Sequence, residues 1–120
     1  YLPHNYTENS VVYTGTHDNE TMMGWFESIK PEEKQALKDY LHTDEDDDAT
    51  LLDMCIELIF SSVSKMCIVP MQDYLKLDNS ARMNQPNTLG NNWMWRMGKD
   101  DFSDELINHI RALTEKYHRI

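Results

Sequence analysis

The order of elements expected along the chain predicts an α/β fold with parallel strands, predominantly helical in this stretch. Short apolar runs at residues 11–14 and 66–69 are typical of strands buried on both faces. A long helical stretch lies between them, and parallel strands require a crossover of this kind. The 120 residues suffice for one modest domain. Two strands do not form a stable parallel sheet by themselves, so we expect this chain to be a piece of a longer protein.

The end of the first strand is the most informative point in the chain. Gly15 follows the β-branched run, and His17 and Asp18 then stand side by side where a helix is about to begin. Neighbouring strand residues point to opposite faces, but both side chains can reach one cavity where the chain turns. A strand that delivers catalytic groups at its carboxyl end has this layout. By itself, a His-Asp pair more often belongs to a turn or a helix cap.

The first half of the chain predicts two helices and an acidic loop. Asn19 can cap a helix over residues 20–28. Pro31, a favourable first helical residue, begins a second helix that runs to about residue 41. The acidic run at residues 44–48 lacks the glycine and the later glutamate of an EF-hand calcium loop. We therefore expect a solvated loop that caps the next helix.

The second half predicts a buried helix, a long loop and a final helix. Residues 49–64 are apolar over more than half of the helical circumference, which calls for burial on several sides. A helical turn is expected over residues 72–77. Residues 78–99 are rich in Asn, Gly and Pro and predict a long functional loop. Ser103 is the expected cap of the last helix.

Composition narrows the classes of partner. The chain has 11 Lys and Arg against 21 Asp and Glu, a net charge of −10. This balance argues against nucleic acid and anionic membranes as partners, because binding them needs clustered basic residues. A neutral substrate is compatible with it. Cys55 and Cys67 lack metal-site spacing, and we expect two buried, reduced thiols in a cytoplasmic protein.

Three blocks of sequence resemble one enzyme family. They are TGTHDNET at residues 14–21, PMQDYL at 70–75, and ARMNQP at 81–86 followed by GNNWMWR at 90–96. In order and spacing these blocks are similar to the strand-seven motif, the strand-eight segment and the following loop of the 4-α-glucanotransferases, or amylomaltases, of glycoside hydrolase family 77. The chain departs from the family pattern at Asn87, where glycine is usual, and at Asn92, which is an extra residue.

The resemblance implies a (β/α)₈ barrel, of which residues 1–120 form the carboxyl-terminal part of the catalytic domain, without a separate second domain. It implies transfer of an α-1,4-glucan segment to another glucan with retained configuration, and no cofactor or metal. Retention needs a nucleophile and an acid/base about 5 Å apart, which the family carries on upstream strands. Asp18 would be a third acid that stabilises the transition state, and His17 would bind the same sugar.

Further site residues follow from the resemblance, each with an alternative. Asn84 is expected to bind substrate, or else forms a turn before Pro86. Trp93 and Trp95 are expected to stack on glucose rings, and would share a face if the segment is extended; they could instead cover the barrel's edge. Arg82 could orient an acid or tie down the loop. Gln72 and Asp73 could line the cleft or serve the structure.

A different class of function stays open at this stage. The chain could be a non-catalytic, acidic helical interaction module whose apolar helix at residues 49–64 docks on a partner. His17 and Asp18 would then only cap a helix. A hydrolase on the same barrel is a third possibility. Glucan length preference and oligomeric state have no signature in the sequence.

Overall fold

The computed structural model describes residues 2–119, and Tyr1 and Ile120 lie outside them. Within the described residues the chain forms five α-helices and one sheet of two parallel strands. Strand β1 (Val11–Tyr13) pairs with β2 (Met66–Ile68), with Val12 opposite Cys67. The helices are α1 (Met22–Ser28), α2 (Pro31–Leu41), α3 (Asp48–Ser61), α4 (Met71–Tyr74) and α5 (Asp104–Lys116). The predicted mixture of helix and parallel strands is confirmed. No helix in residues 2–119 has the length and apolar character needed to span a membrane.

Helix α1 begins later than the sequence predicts. Thr21, rather than Asn19, is its N-cap, and the Thr21 hydroxyl accepts a hydrogen bond from the Gly24 amide at 3.1 Å. The Asn19 side chain closes the preceding turn, where its Oδ1 accepts from the amide of Thr16 at 2.7 Å. The prediction of an Asn19 cap was wrong because that side chain is already engaged upstream.

The other caps agree with the sequence. Residues 44–47 of the acidic run form an exposed loop, and Asp48 begins α3. Asp47 caps this helix by accepting from the Thr50 amide at 3.1 Å. Ser103 caps α5 by accepting from the Leu106 amide at 3.2 Å. Side-chain oxygens at these positions satisfy amides that have no partner within the helix.

The core is built around α3. Leu51, Leu52 and Ile56 are almost fully buried, at 0%, 0% and 1% exposure. Val12 of β1 and Leu113 of α5 belong to the same cluster. Full burial of one such side chain contributes about 1.5–3 kcal/mol, so this cluster is the main source of stability within the chain.

The two faces of the sheet differ. Val12 packs into the core at 3% exposure, whereas the neighbouring positions are exposed by 41–55%. Side chains alternate along a strand, and the helices of this chain cover only one face. The expectation that both faces are buried is therefore wrong for the chain by itself, which leaves an apolar surface open: Val11, Tyr13, Met66 and Ile68.

Candidate functional site

The loop between β1 and α1 carries His17 and Asp18 at the carboxyl end of the sheet. Nε2 of His17 lies 3.3 Å from Oδ2 of Asp18. The two side chains are 56% and 48% exposed, respectively. Both functional groups therefore meet on one side of the turn while remaining open to solvent.

Asn84 reaches this pair from a segment far along the chain. Its side-chain Nδ2 donates to Oδ1 of Asp18 at 2.6 Å, and its backbone amide donates to the carbonyl of His17 at 3.1 Å. One carboxylate oxygen of Asp18 thus faces Asn84 and the other faces His17. The structure brings these three predicted residues together.

Arg82 fastens the two loops to each other. Its guanidinium donates to the backbone carbonyl of Asp18 at 2.7 Å and to that of Asn84 at 3.0 Å. A hydrogen bond from a charged group contributes about 1.5–3 kcal/mol. Of the two possible roles for Arg82, the structure supports tying the loops together, because the guanidinium binds carbonyls rather than the acid.

The two predicted tryptophans occupy different environments. The Trp93 ring lies 5.0 Å from the His17 ring, between centroids, at an interplanar angle of 36°. Trp95 is half-buried and joins none of these contacts within residues 2–119. The backbone at Trp93 has φ +61°, so the segment is not extended there. The condition for placing both rings on one face is not met.

A cleft of about 160 Å³ lies between the carboxyl ends of the strands. His17 and Gly15 form its wall on the β1 side, and Gln72 and Arg82 form it on the other side. Asp18 borders the cleft through its contact with His17 rather than lining it. Gln72 donates to the carbonyl of Ala81 at 3.2 Å, which indicates a structural role for that side chain.

Asp73 is the most buried charged group near the site, at 2% exposure. Its two carboxylate oxygens accept from the Thr14 hydroxyl at 2.5 Å and from the Met22 amide at 2.8 Å. Burial raises the pKa of Asp73, and these two hydrogen bonds act in the opposite direction. Asp73 is among the residues that line the cleft, but both of its carboxylate oxygens are engaged by the loop, which indicates a structural role.

Asn79 makes a contact with the start of α1 that the sequence did not reveal. Its Oδ1 accepts from the Thr21 amide at 3.2 Å, and its Nδ2 donates to Glu20 at 3.1 Å. The Asn79 side chain fits here only because Gly24 has no Cβ. A Cβ at that position would come within 2.2 Å of Asn79 Oδ1. Asn79 belongs to the loop predicted over residues 78–99, and nothing local in the sequence identified this distant partner.

A family model described as 4-alpha-glucanotransferase, glycoside hydrolase family 77, matches residues 1–101. The chain belongs to this family. The resemblance seen in the sequence blocks is thereby confirmed.

Curated 4-alpha-glucanotransferases match nearly the whole chain. The protein of Clostridium butyricum is 46% identical over 120 residues, which cover 99% of this chain and 24% of that protein. The chloroplastic/amyloplastic protein of Solanum tuberosum is 43% identical over 115 residues, with 96% and 20% covered. The chain thus spans about a quarter or less of the length of these relatives.

A solved structure of the same family has the same fold over this stretch. The amylomaltase from Streptococcus agalactiae in complex with acarbose matches with a TM-score of 0.88 and 38% identity. The match covers 98% of this chain and 23% of that protein.

The departures from the pattern of this 4-alpha-glucanotransferase family have local explanations. Asn87 has φ +64°, a conformation that asparagine adopts more readily than other residues with a Cβ. The extra Asn92 bridges its own loop: its Oδ1 accepts from the Gln85 amide at 3.0 Å, and its Nδ2 donates to the Thr88 hydroxyl at 3.1 Å. The loop therefore accommodates both changes without losing its contact to the site.

Proposed function

We propose that residues 1–120 are the carboxyl-terminal part of the (β/α)₈ catalytic domain of a 4-α-glucanotransferase, with no separate second domain. Three observations support this assignment. The chain belongs to the family, its two strands are parallel, and it matches only about a quarter of the length of its Clostridium butyricum relative. The exposed apolar face of the sheet is suited to burial by the remainder of a barrel. Barrel enzymes use the carboxyl ends of their strands, and His17 and Asp18 lie at that edge.

The proposed reaction transfers an α-1,4-glucan segment to the 4-position of an acceptor glucan or glucose with retention. It needs a nucleophile and an acid/base, which we assign to other strands outside this chain. Asp18 is the third acid. It stabilises positive charge that develops on the sugar as the bond breaks, an effect that fixed charges and dipoles supply at a few kcal/mol each.

One observation carries the role of Asp18. Its carboxylate is held by Asn84 Nδ2 at 2.6 Å, yet the side chain is still 48% exposed. A group of this kind is fixed in position before substrate arrives and remains accessible to it. Preorganisation means that little reorganisation energy is needed at the moment of reaction.

The surrounding residues supply the proposed sugar contacts. His17 presents a ring nitrogen beside Asp18 and stacks obliquely on Trp93. Together they offer a hydrogen-bonding edge and an aromatic face, which suit sugar hydroxyls and the apolar C–H face of glucose. Asn84 binds next to them through its amide. The assignment of Trp95 depends on the family resemblance alone.

The proposed partner is an α-1,4-glucan such as a maltooligosaccharide. The solved Streptococcus agalactiae relative is a complex with acarbose, and the negative charge of this chain does not hinder a neutral substrate. We propose a cytoplasmic location on the ground that Cys55 and Cys67 are both free thiols. The Solanum tuberosum relative is named as chloroplastic/amyloplastic, so this location is a proposal for this chain only.

The alternative of an interaction module loses its main support. That alternative required the apolar helix, α3, to dock on a partner. Its side chains Leu51, Leu52 and Ile56 are already buried within this chain. Little of that surface is left for a docking partner.

The test uses the full-length protein that carries this chain, with maltotriose as substrate. We expect glucose and longer maltooligosaccharides as products, and Asp18→Asn to lower turnover by about 100- to 1,000-fold or more. Glucan binding, measured by calorimetry, should persist. The exposed acid Asp44 lies in the loop before α3, and Asp44→Asn is the matched control with unchanged turnover.

Two results would contradict the proposal at different points. A full-length protein that does not redistribute maltotriose would overturn the function itself. Near-normal turnover in Asp18→Asn would remove Asp18 from the catalytic groups while leaving the function intact. We also expect the 120-residue chain by itself to be inactive, because the nucleophile and the acid/base are not among its residues.

A further inference from the structure

Asp73 binds both ends of the loop that carries His17 and Asp18. Thr14, which directly follows β1, donates to Asp73 Oδ2, and Met22, the first residue of α1, donates to Oδ1. Residues 15–21 span the distance between these two anchors. A single carboxylate therefore fixes the points at which the loop leaves the strand and enters the helix.

The location of Asp73 makes these two hydrogen bonds strong constraints. The residue lies in α4, which follows β2 almost directly, and its side chain is 2% exposed. A buried carboxylate without partners is costly, so its hydrogen bonds are retained even when surface contacts exchange with water. Asn84 and Arg82, which also bind this loop, are only half-buried residues, whereas Asp73 is buried.

We propose that Asp73 is a positioning residue for glucan transfer, which holds the loop after β1 so that Asp18 stands in its working geometry. The inference rests on the proposed function of Asp18. It goes beyond that function by assigning the accuracy of the site to an acid that acts through the loop it binds. A displacement of about 1 Å at a reacting centre lowers rates by up to about 100-fold, so loss of the two anchors should be visible in kcat.

The side chain's hydrogen-bonding pattern defines a pair of variants. Asp73→Ala removes both acceptors. Asp73→Asn keeps one acceptor for the Met22 amide, and its NH₂ group can donate to the Thr14 hydroxyl, which can rotate to accept. If Asp73 acts through these hydrogen bonds rather than through its charge, the asparagine variant recovers most of what the alanine variant loses.

The experiment measures kcat, KM and hydrogen–deuterium exchange in the full-length protein with maltotriose. In Asp73→Ala we expect kcat to fall about 10- to 100-fold, with KM within about threefold of wild type. Exchange should accelerate in peptides covering residues 15–22 and stay unchanged over residues 51–60, the buried part of α3. Asp73→Asn should restore kcat to within about fivefold of wild type, since it retains both anchors.

A second pair keeps the test decisive if Asp73→Ala does not fold. Thr14→Val removes the hydroxyl at nearly constant size and should lower kcat and loosen residues 15–22. Thr14→Ser retains the hydroxyl and should recover both. Because Thr14 is only one of the two anchors, the loss in Thr14→Val should be smaller than in Asp73→Ala.

The inference and the proposed function fail in different ways. An Asp73→Ala protein with kcat within about twofold of wild type, or with unchanged exchange over residues 15–22, overturns the positioning role while Asp18→Asn still tests the function. An Asp73→Asn protein as impaired as Asp73→Ala overturns the hydrogen-bond explanation. A wild-type protein without glucan transfer overturns the function, and the exchange comparison then still decides whether Asp73 holds the loop.

Discussion

The α3-centred core and the loop cluster around Asp18 are organised by different forces. The core is apolar, and Leu51 and Leu52 are completely buried within this chain. The cluster is polar and half-exposed, and its members are joined by hydrogen bonds across 66 residues of sequence, as between Asn84 and Asp18. The main apolar core and the proposed catalytic cluster thus lie in separate places, so substitutions in the two regions should affect different measurements.

The largest effect on stability is expected in the core. Leu52→Ala removes a fully buried side chain and leaves a cavity, which costs about 2–5 kcal/mol. We expect a clear fall in the thermal unfolding midpoint of the full-length protein. At temperatures where the variant is still folded, kcat for maltotriose should match wild type.

The matched control is the same change at an exposed leucine. Leu89 is fully exposed, so Leu89→Ala should leave the midpoint unchanged. A large loss of kcat in folded Leu52→Ala, or no fall in its midpoint, would mean that the two regions are not separate.

The opposite behaviour is expected in the loop cluster. Asn84→Asp replaces the amide that donates to Asp18 by a second carboxylate at about the same position, 2.6 Å away. Like charges in contact repel, and the donor is lost, so we expect kcat to fall about 100-fold with little change in the unfolding midpoint. Steady-state kinetics and thermal unfolding measure the two effects.

Gln85→Glu is the control for charge, because it adds the same charge at the next residue, which is exposed. It should leave kcat within about threefold of wild type, as expected for a surface charge screened by solvent. If Gln85→Glu and Asn84→Asp are equally impaired, the loss arises from net charge and not from the contact with Asp18.

The smallest effect is expected where α3 meets α5 at the surface. Glu57 accepts a hydrogen bond from Lys116 and another from the Tyr117 hydroxyl at 2.6 Å. Both lower the pKa of Glu57 below the usual 4.5, and Lys116 has the larger effect. The folded pKa lies below the unfolded one, so the pair contributes stability above about pH 4.5 that is lost as the pH falls through the lowered value. Because the pair is exposed, the contribution is small.

Glu57→Gln isolates this contribution. Its unfolding midpoint should lie slightly below that of wild type at neutral pH, and the difference should disappear under acidic conditions. A difference that persists unchanged down to pH 3, well below the usual pKa of glutamate, would exclude titration of Glu57 as the cause.

The sequence predicts the helices well because their signals are local. Each signal lies in the helix it defines or within a few residues of it. These signals are the apolar pattern of α3, Pro31 at the start of α2 and Ser103 before α5. The N-cap of α1 was misassigned because Asn19 and Thr21 are both good caps. The structure shows that Asn19 is used in the turn with Thr16, three residues earlier, which leaves Thr21 as the cap.

The site was predictable only in part, because several of its contacts join residues that are far apart in the sequence. His17, Asp18 and Asn84 were identified through the resemblance to a family, and the structure brings them together. Neither the binding of Asp73 to Thr14 nor that of Asn79 to Thr21 has a local signature, because the partners are 59 and 58 residues apart. The exposed face of the sheet was also missed, since strand patterns do not show which neighbours a given chain supplies.

The most direct measurement is a crystal structure of the full-length protein with a bound maltooligosaccharide. We expect a carboxylate oxygen of Asp18 to lie about 2.5–3.0 Å from a hydroxyl of the sugar at the cleavage point, with Asn84 still bound to the other oxygen. A complex in which that sugar is bound and Asp18 contacts only protein or bulk solvent would contradict the central role given to this acid.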